Sequence, residues 1–491
     1  MMKATKLAMV VVLTAFWTSS RVQADVDPMA EMRSLVQGLQ KQMQSMQRTI
    51  DMQNDKIELL QTNSSPQLTP TSTEGAAAPM TDFEFNERLG GALGGANKWL
   101  KNLSFKGDLR LRYEAFDNHT GNPADTADRN RFRYRLRYGF EKGMGKEMKI
   151  GFSMASGERA YNNTSFGGNV DPTSTNTTFD NNFNFKDIFI EKAFAQYTPK
   201  WAAKGIIDKL TLKGGKMDNP FEKGSSDLVW DRDVKPEGLS EKFDLNLIDG
   251  SNLDMTGYLT LGQFVLDEDG APHGDAELFA HQIGINPVVY TPLFERPVDF
   301  HSAFSWYSYR NFAESSNFLL NGASLARGNS NVIGPAIDLD AGDFEVIELY
   351  NEVAVYPMGL PTRFFFDWAL NADNDNQSNT LRGIGTEEDA AWSFGTKVGG
   401  IQKKGDWELS YAYKRIAANS VVGAFNDSDF GTNAHAANRG SVIKVGYALT
   451  DNLTLNSAAF FVNNLNTGTG PAPRSMDEEQ RRFQLDLGWK F

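Results

Sequence analysis

Phe483-Gln-Leu-Asp-Leu-Gly-Trp-Lys-Phe491 is the stretch that decides the fold. Successive side chains of a strand point to opposite faces. Phe483, Leu485, Leu487, Trp489 and Phe491 therefore share one face, and Gln484, Asp486 and Lys490 share the other, with Gly488 between. A strand that is apolar on one side and polar on the other suits a sheet between two media. Left at an open edge it would pair with other chains and aggregate, and closing the sheet removes that edge. The expected fold is all-β: a transmembrane antiparallel β-barrel.

Working outward, the other end of the chain is consistent with export. Lys3 and Lys6 precede an apolar run from Leu7 to Trp17, and Val22-Gln-Ala24 has the small residues of a cleavage site. Residues 1–24 are expected to be a signal peptide and are set aside from the fold. The apolar run is too short for a bilayer-spanning helix, and no later segment approaches the roughly 18 apolar residues that one needs. Removing Lys3, Lys6 and Arg21 takes the formal net charge from −13 to −16. Such an acidic chain lacks the basic face that nucleic-acid binding requires. Cysteine is absent, which excludes disulfides and thiolate chemistry. Aromatic residues make up 12% of the chain, yet the mean hydropathy is −0.43. That combination fits a barrel with a lipid-facing outside and a wet inside.

Residues 25–62 are expected to hold an α-helical coiled coil. Met29, Val36, Met43, Ile50 and Ile57 recur every seven residues, and Met32, Leu39, Met46, Gln53 and Leu60 follow three residues behind. Only Gln53 breaks the apolar seam, and a lone amphipathic helix is the plainer alternative. At about 1.5 Å per residue, the 29–60 rod would be roughly 48 Å long. Residues 63–103 read as a linker and periplasmic connector, with Ser, Thr, Pro and Ala first and then the glycine pairs Gly90-Gly91 and Gly94-Gly95.

From residue 104 to 491 the pattern has period two. Sixteen strands are expected, near 104–117, 130–142, 146–157, 184–198, 206–217, 239–247, 252–266, 276–290, 298–311, 345–357, 361–373, 390–401, 406–418, 439–450, 452–463 and 479–491. Short connections such as Gly143-Met-Gly145 and Thr450-Asp-Asn452 alternate with long ones near 118–129, 158–183, 218–238, 312–344, 374–389, 419–438 and 464–478. One-sided decoration of an antiparallel barrel produces that alternation. A soluble propeller, the competing all-β fold, would not require it.

The strand at 130–140 reads Asn-Arg-Phe-Arg-Tyr-Arg-Leu-Arg-Tyr-Gly-Phe. Arg131, Arg133, Arg135 and Arg137 share one face, and Phe132, Tyr134, Leu136 and Tyr138 the other. The preceding strand sets Asp108, Arg110, Arg112 and Glu114 against Leu109, Leu111 and Tyr113. An arginine facing lipid at mid-bilayer costs about 2–4 kcal/mol. In a membrane barrel Arg110, Arg112, Arg131, Arg133, Arg135 and Arg137 must therefore be pore-lining. Asp108 and Glu114 are placed to neutralise them, so a structural role and a selectivity role both stand.

Two segments then carry a resemblance: Gly215-Lys-Met-Asp-Asn-Pro-Phe221 and Asp227-Leu-Val-Trp-Asp-Arg-Asp-Val-Lys-Pro-Glu-Gly238. They resemble the bacterial outer-membrane "putative porin" family, with Lys216 where an arginine is usual. Gly405-Asp-Trp-Glu-Leu-Ser-Tyr-Ala-Tyr413 and Gly423-Ala-Phe-Asn-Asp-Ser-Asp-Phe430 are similar to that family as well. The resemblance covers 104–491 and implies a porin in a Gram-negative outer membrane, passing small hydrophilic solutes and ions by passive diffusion. It further implies that Phe491 is an assembly signal for the outer-membrane barrel assembly machinery, that outer-membrane lipid surrounds the barrel, and that the chain is a homotrimer. In general porins the third long loop folds inward. By that likeness Asp227, Asp231, Asp233 and Glu237 of residues 218–238 would form a constriction, whereas the plain alternative is a solvated loop.

Enzyme signatures are weak. His119, His273, His281, His301 and His435 show no metal-ligand spacing, and no Gly-x-Ser-x-Gly elbow is tied to a triad. No catalysis, metal or other cofactor is expected. The non-enzymatic alternative is a structural anchor, with the coiled coil tethering the membrane to the cell wall.

Overall fold

The computed structural model describes residues 102–119, 128–158, 172–180, 182–268, 275–312, 329, 344–373, 389–431, 435–465 and 479–491. The chain divides into two units, Met1–Arg88 and Leu89–Phe491, and every described residue belongs to the second. The expected signal peptide, the coiled coil and nearly all of the linker lie outside the described residues.

Seventeen strands form one antiparallel sheet among the described residues. They are β1 (Leu103–His119), β2 (Arg129–Met144), β3 (Met148–Ser156), β4 (Thr177–Thr178), β5 (Ile188–Tyr197), β6 (Ile207–Lys216), β7 (Glu237–Ile248), β8 (Leu253–Asp267), β9 (Ala276–Val289), β10 (Val298–Arg310), β11 (Phe344–Val355), β12 (Thr362–Asn371), β13 (Ala390–Gly399), β14 (Trp407–Ile416), β15 (Asn438–Ala448), β16 (Leu453–Asn464) and β17 (Glu479–Lys490). β4 is a two-residue stub that pairs with Arg133 and Tyr134 of β2 beyond the end of β3, and the other sixteen strands form the ring. β17 pairs with β1 from Asp108↔Lys490 to His119↔Glu479, which closes the barrel. Phe491 extends this pairing, because Gly107 N donates to its carbonyl at 2.8 Å and Phe491 N donates to Gly107 O at 3.0 Å.

Sixteen strands in a closed antiparallel barrel is the expected architecture. The largest displacement is at β5, expected from 184 and found from Ile188. Asn182 and Phe183 adopt left-handed backbone conformations (φ 52° and 66°) that cannot continue a strand. The turn expected at 143–145 sits at 145–147, because β2 runs on to Met144 and Gly145 supplies the positive φ of 71°.

Leu111, Phe132, Ile190, Ile283, Phe304, Phe366, Phe394 and Phe461 are exposed on the outer face. In water such a belt would be an aggregation surface, but it is the expected face of a lipid-embedded barrel. Inward positions differ around the ring. On β1, β2 and β17 they are charged. On β8 to β16 many are aromatic or small, and they pack against two connections that fold into the barrel: residues 217–236 between β6 and β7, and the described residues 417–431 and 435–437 between β14 and β15.

Candidate functional site

The 217–236 connection crosses the barrel interior. Its first anchor is Phe221, fully buried and edge-on to Phe264 of β8 (6.2 Å) and Tyr307 of β10 (5.7 Å). The Gln282 amide of β9 donates to the Phe221 carbonyl at 3.0 Å. Gly224 follows, and only glycine fits there. A Cβ would lie 2.6 Å from Ala303 Cβ and 2.7 Å from both Gln282 Nε2 and Tyr258 Oη. Ser225 Oγ then donates to Glu348 of β11 at 2.7 Å, and Ser226 N to Asp367 of β12 at 2.8 Å. Lys414 of β14 donates to the Asp227 carbonyl at 3.2 Å. Asp233 completes the crossing by accepting from Arg137 of β2 at 2.7 Å.

The 417–437 connection locks onto it. Phe425 stacks between Trp230 (6.0 Å) and Tyr309 (6.4 Å). Asp231 N donates to the Phe425 carbonyl at 2.7 Å, and the Asn426 amide donates to the Leu228 carbonyl. The Asp231 carboxylate accepts from Ser428 N at 3.0 Å. Asp427 takes Lys414 at 2.9 Å, while Asp429 takes Arg112 at 3.2 Å and Arg482 at 2.9 Å. The two connections together fill the side of the barrel next to β8–β14 and hold a row of aspartates toward β1 and β2.

The arginines stand opposite. In the β1–β2 register Arg110 faces Arg135 and Arg112 faces Arg133, while Asp108 faces Arg137 and Glu114 faces Arg131. Like charges directly opposed repel, so the carboxylates work diagonally. Arg135 binds Asp108 at 2.7 Å, and Glu114, fully buried, lies between Arg131, Arg133 and Arg112. Arg112 makes a two-point contact with Asp486 of β17, at 2.7 and 2.8 Å. Such fork-to-carboxylate geometry is the strong form of the pair. Arg137 is shared by Glu191 (2.9 Å) and Asp233 (2.7 Å).

Between wall and loops lies a cavity of about 560 Å³. Arg110, Arg112, Arg135 and Arg137 border it on one side, and Asp227, Asp231, Asp233, Asp427 and Asp429 on the other. Burial raises the Asp231 carboxyl, and its neighbours Asp233 and Asp427 raise it further; the N–H donors of Asp233 and Ser428 offset this only in part. Burial also works against the Asp233 charge, but Arg137 and Arg135 outweigh it and hold that carboxyl below the ordinary range. Asp429 goes the same way, with burial overcome by Arg112 and Arg482.

Four of the six arginines singled out from the sequence therefore border the cavity. Arg131 and Arg133 point inward but do not reach it: Arg131 is taken by Glu114, and Arg133, paired with β4, donates to the Asn176 carbonyl at 3.3 Å. Of the expected constriction residues, Asp227, Asp231 and Asp233 border it. Glu237 does not, because it opens β7 and is exposed beside Lys216 at 2.6 Å. Sequence reasoning missed Asp427 and Asp429. The available signal was the apolar content of their loop, since Val421, Val422, Ala424, Phe425 and Phe430 have no place in a solvated connection.

A family model described as "Putative porin" matches residues 118–337 and 341–491. The chain belongs to this porin family. A search of curated proteins found no match. Several solved structures are similar at low identity, with TM-scores below 0.5. OprB of Pseudomonas putida at high pH is 11% identical, with 81% of this chain and 97% of that one covered and a TM-score of 0.47. OmpF of Salmonella typhi in complex with daunomycin is 10% identical, covering 79% and 97%, TM-score 0.42. OmpT of Vibrio cholerae, folded in vitro, is 9% identical, covering 79% and 97%, TM-score 0.39. Membership makes the chain a porin.

Proposed function

We propose that this porin is an aqueous channel for passive diffusion of small hydrophilic solutes and ions. Its narrowest section lies between Arg110, Arg112, Arg135 and Arg137 on the wall and Asp227, Asp231 and Asp233 on the inserted loop. The observation that carries this reading is the polar cavity of about 560 Å³ left between the charged wall and the inserted loops. Opposed charges across a narrow wet gap set up a transverse field, which favours polar solutes that align in it over apolar ones. At physiological salt the screening length is about 8 Å, so the charges bordering the gap outweigh the acidic surface of the whole chain. Single-channel recording in a planar bilayer tests it. Stepwise conductance is the expected result. Correctly inserted protein that carries no current would sink the channel and favour the anchor, in which the coiled coil tethers the membrane to the cell wall.

The rest of the proposal follows the sequence. Residues 1–24 direct export, 25–62 form the coiled coil, 63–103 connect it to the barrel, and Phe491 engages the assembly machinery. The long connections face outward and the short turns face the periplasm. The protein is a homotrimer aided by the coiled coil, whose mixed Met, Val, Ile and Leu seam does not specify a dimer. Deleting 25–62 weakens the oligomer on this view, and cross-linking of the intact chain that yields only monomer rules it out.

A further inference from the structure

A second cavity, of about 380 Å³, lies below the first toward the short-turn end, and Arg137 and Lys235 border both. Lys106, Lys192 and Lys235 border this second cavity, while Lys149 and Lys213 approach it only through the lining residues Glu141 and Phe194. Lys149 of β3, Gln196 of β5 and Lys213 of β6 stand in one cross-strand row. Lys192 sits two inward positions higher, opposite Ser153, with Gly151 and Phe194 between. A bulge at Ser153/Met154 makes Glu191 the extra residue of β5, so that both it and its neighbour Lys192 reach lumen partners, Arg137 and Asp218.

The local charge does not balance. Asp108 and Glu191 are taken by Arg135 and Arg137. Two carboxylates then serve the lysines. Asp218 is shared by Lys192 (3.0 Å) and Lys235 (3.2 Å), and Glu141 by Lys106 (3.3 Å) and Lys149 (3.5 Å). The Lys213 ammonium lies over the Phe194 ring at 5.0 Å. Lys490 and Phe491 also border the cavity. Five lysines thus face two carboxylates, a local positive surplus in a chain of net charge −13. Ammonium groups on flexible stems can leave a shared carboxylate for an incoming anion at little cost, unlike a forked arginine pair.

The geometry points to a subsite for small oxyanions of two or more negative charges, formed by Lys149, Lys192, Lys213 and Lys235 beyond the arginine wall. It rests on the channel reading and adds a solute class to it. An anion leaving Arg135 and Arg137 passes directly to these lysines. Phosphate and polycarboxylates share the required chemistry, and separate phosphate and citrate arms of the test tell them apart.

The test is chloride current through single channels with inorganic phosphate, or citrate, added at millimolar concentration and constant ionic strength. The expected result is a saturable block. In Lys192→Gln/Lys213→Gln the half-blocking concentration should rise about tenfold, the scale of losing two partly solvated charged contacts. Lys213→Gln alone, which breaks no carboxylate pair described above, guards against misfolding of the double variant and should rise less. Lys404→Gln, exposed in the turn before β14, should block as the wild type does. Channels that conduct chloride but respond to neither oxyanion overturn the subsite and leave the porin intact. So does a block that the lysine variants do not change. A chain that carries no current in any arm overturns both.

Discussion

The two halves of this barrel's interior obey the same alternation of side chains and use it for opposite ends. Beside β8–β14 the inward residues are Phe264, Tyr307, Tyr309, Phe344 and Ala369, and loop residues Phe221, Leu228, Trp230 and Phe425 pack on them. Beside β1, β2 and β17 the inward residues are Arg110, Arg112, Arg135, Arg137, Arg482 and Asp486, and a cavity of about 560 Å³ remains. Apolar burial is non-directional and closes space, at about 25 cal/mol per Å². Paired charges instead need geometry and solvent, so they hold surfaces apart. The lesson is that the loops are seated by the apolar half and aimed at the charged half.

The comparison breaks most visibly if the seat is removed. Phe221→Ala or Trp230→Ala should each cost about 3–5 kcal/mol, the usual loss for a large buried aromatic. The released loop should also raise single-channel conductance. Thermal unfolding in detergent and bilayer recording read the two effects. A destabilised barrel with unchanged conductance would mean that the loop does not limit the pore.

The charged half should respond differently. Arg112→Met removes the two-point partner of Asp486 and one of several donors to Asp429 and Glu114, and should cost roughly 2–3 kcal/mol as buried acceptors lose a charged donor. Adding Asp486→Asn should recover part of it. If the two changes are strictly additive in unfolding experiments, Arg112 and Asp486 are not coupled as their two-point contact implies.

A smaller effect separates arginines that border the gap from those that do not. Arg135→Ala should shift the reversal potential in a salt gradient toward cation preference. Arg133→Ala, outside the cavity lining, should leave it nearly unchanged. Equal shifts would show that the whole ladder, rather than its cavity-facing part, sets selectivity.

The smallest expected effect is in pH. Asp233, held low by Arg137 and Arg135, contributes stability above the ordinary aspartate pKa of about 3.9, and that contribution is lost as pH falls through its lower folded value. Asp231 is raised, so its ionisation weakens the loop contact as pH climbs from the unfolded value through the folded one. Asp231→Asn should therefore help at pH 7.5 and be nearly neutral at acid pH, with Asp233→Asn doing the reverse. Melting temperatures at the two pH values decide it, and identical profiles would refute the assignment.

Much of this was written locally. Strand number, barrel closure and the lumenal face of Arg131, Arg133, Arg135 and Arg137 follow from a period of two and from the cost of placing charge in lipid, and neither depends on distant residues. The seats of the loops were not legible in that way. Ser225 meets Glu348, Ser226 meets Asp367, and Asp429 meets Arg112 across separations of 123, 141 and 317 positions. Whether Glu237 and Arg133 reach the gap depended on where β7 begins and on a two-residue stub, neither marked by periodicity. The sequence by itself determined which side chains face in. Only the closed ring decided which of them meet, because it brings together residues that no local pattern relates.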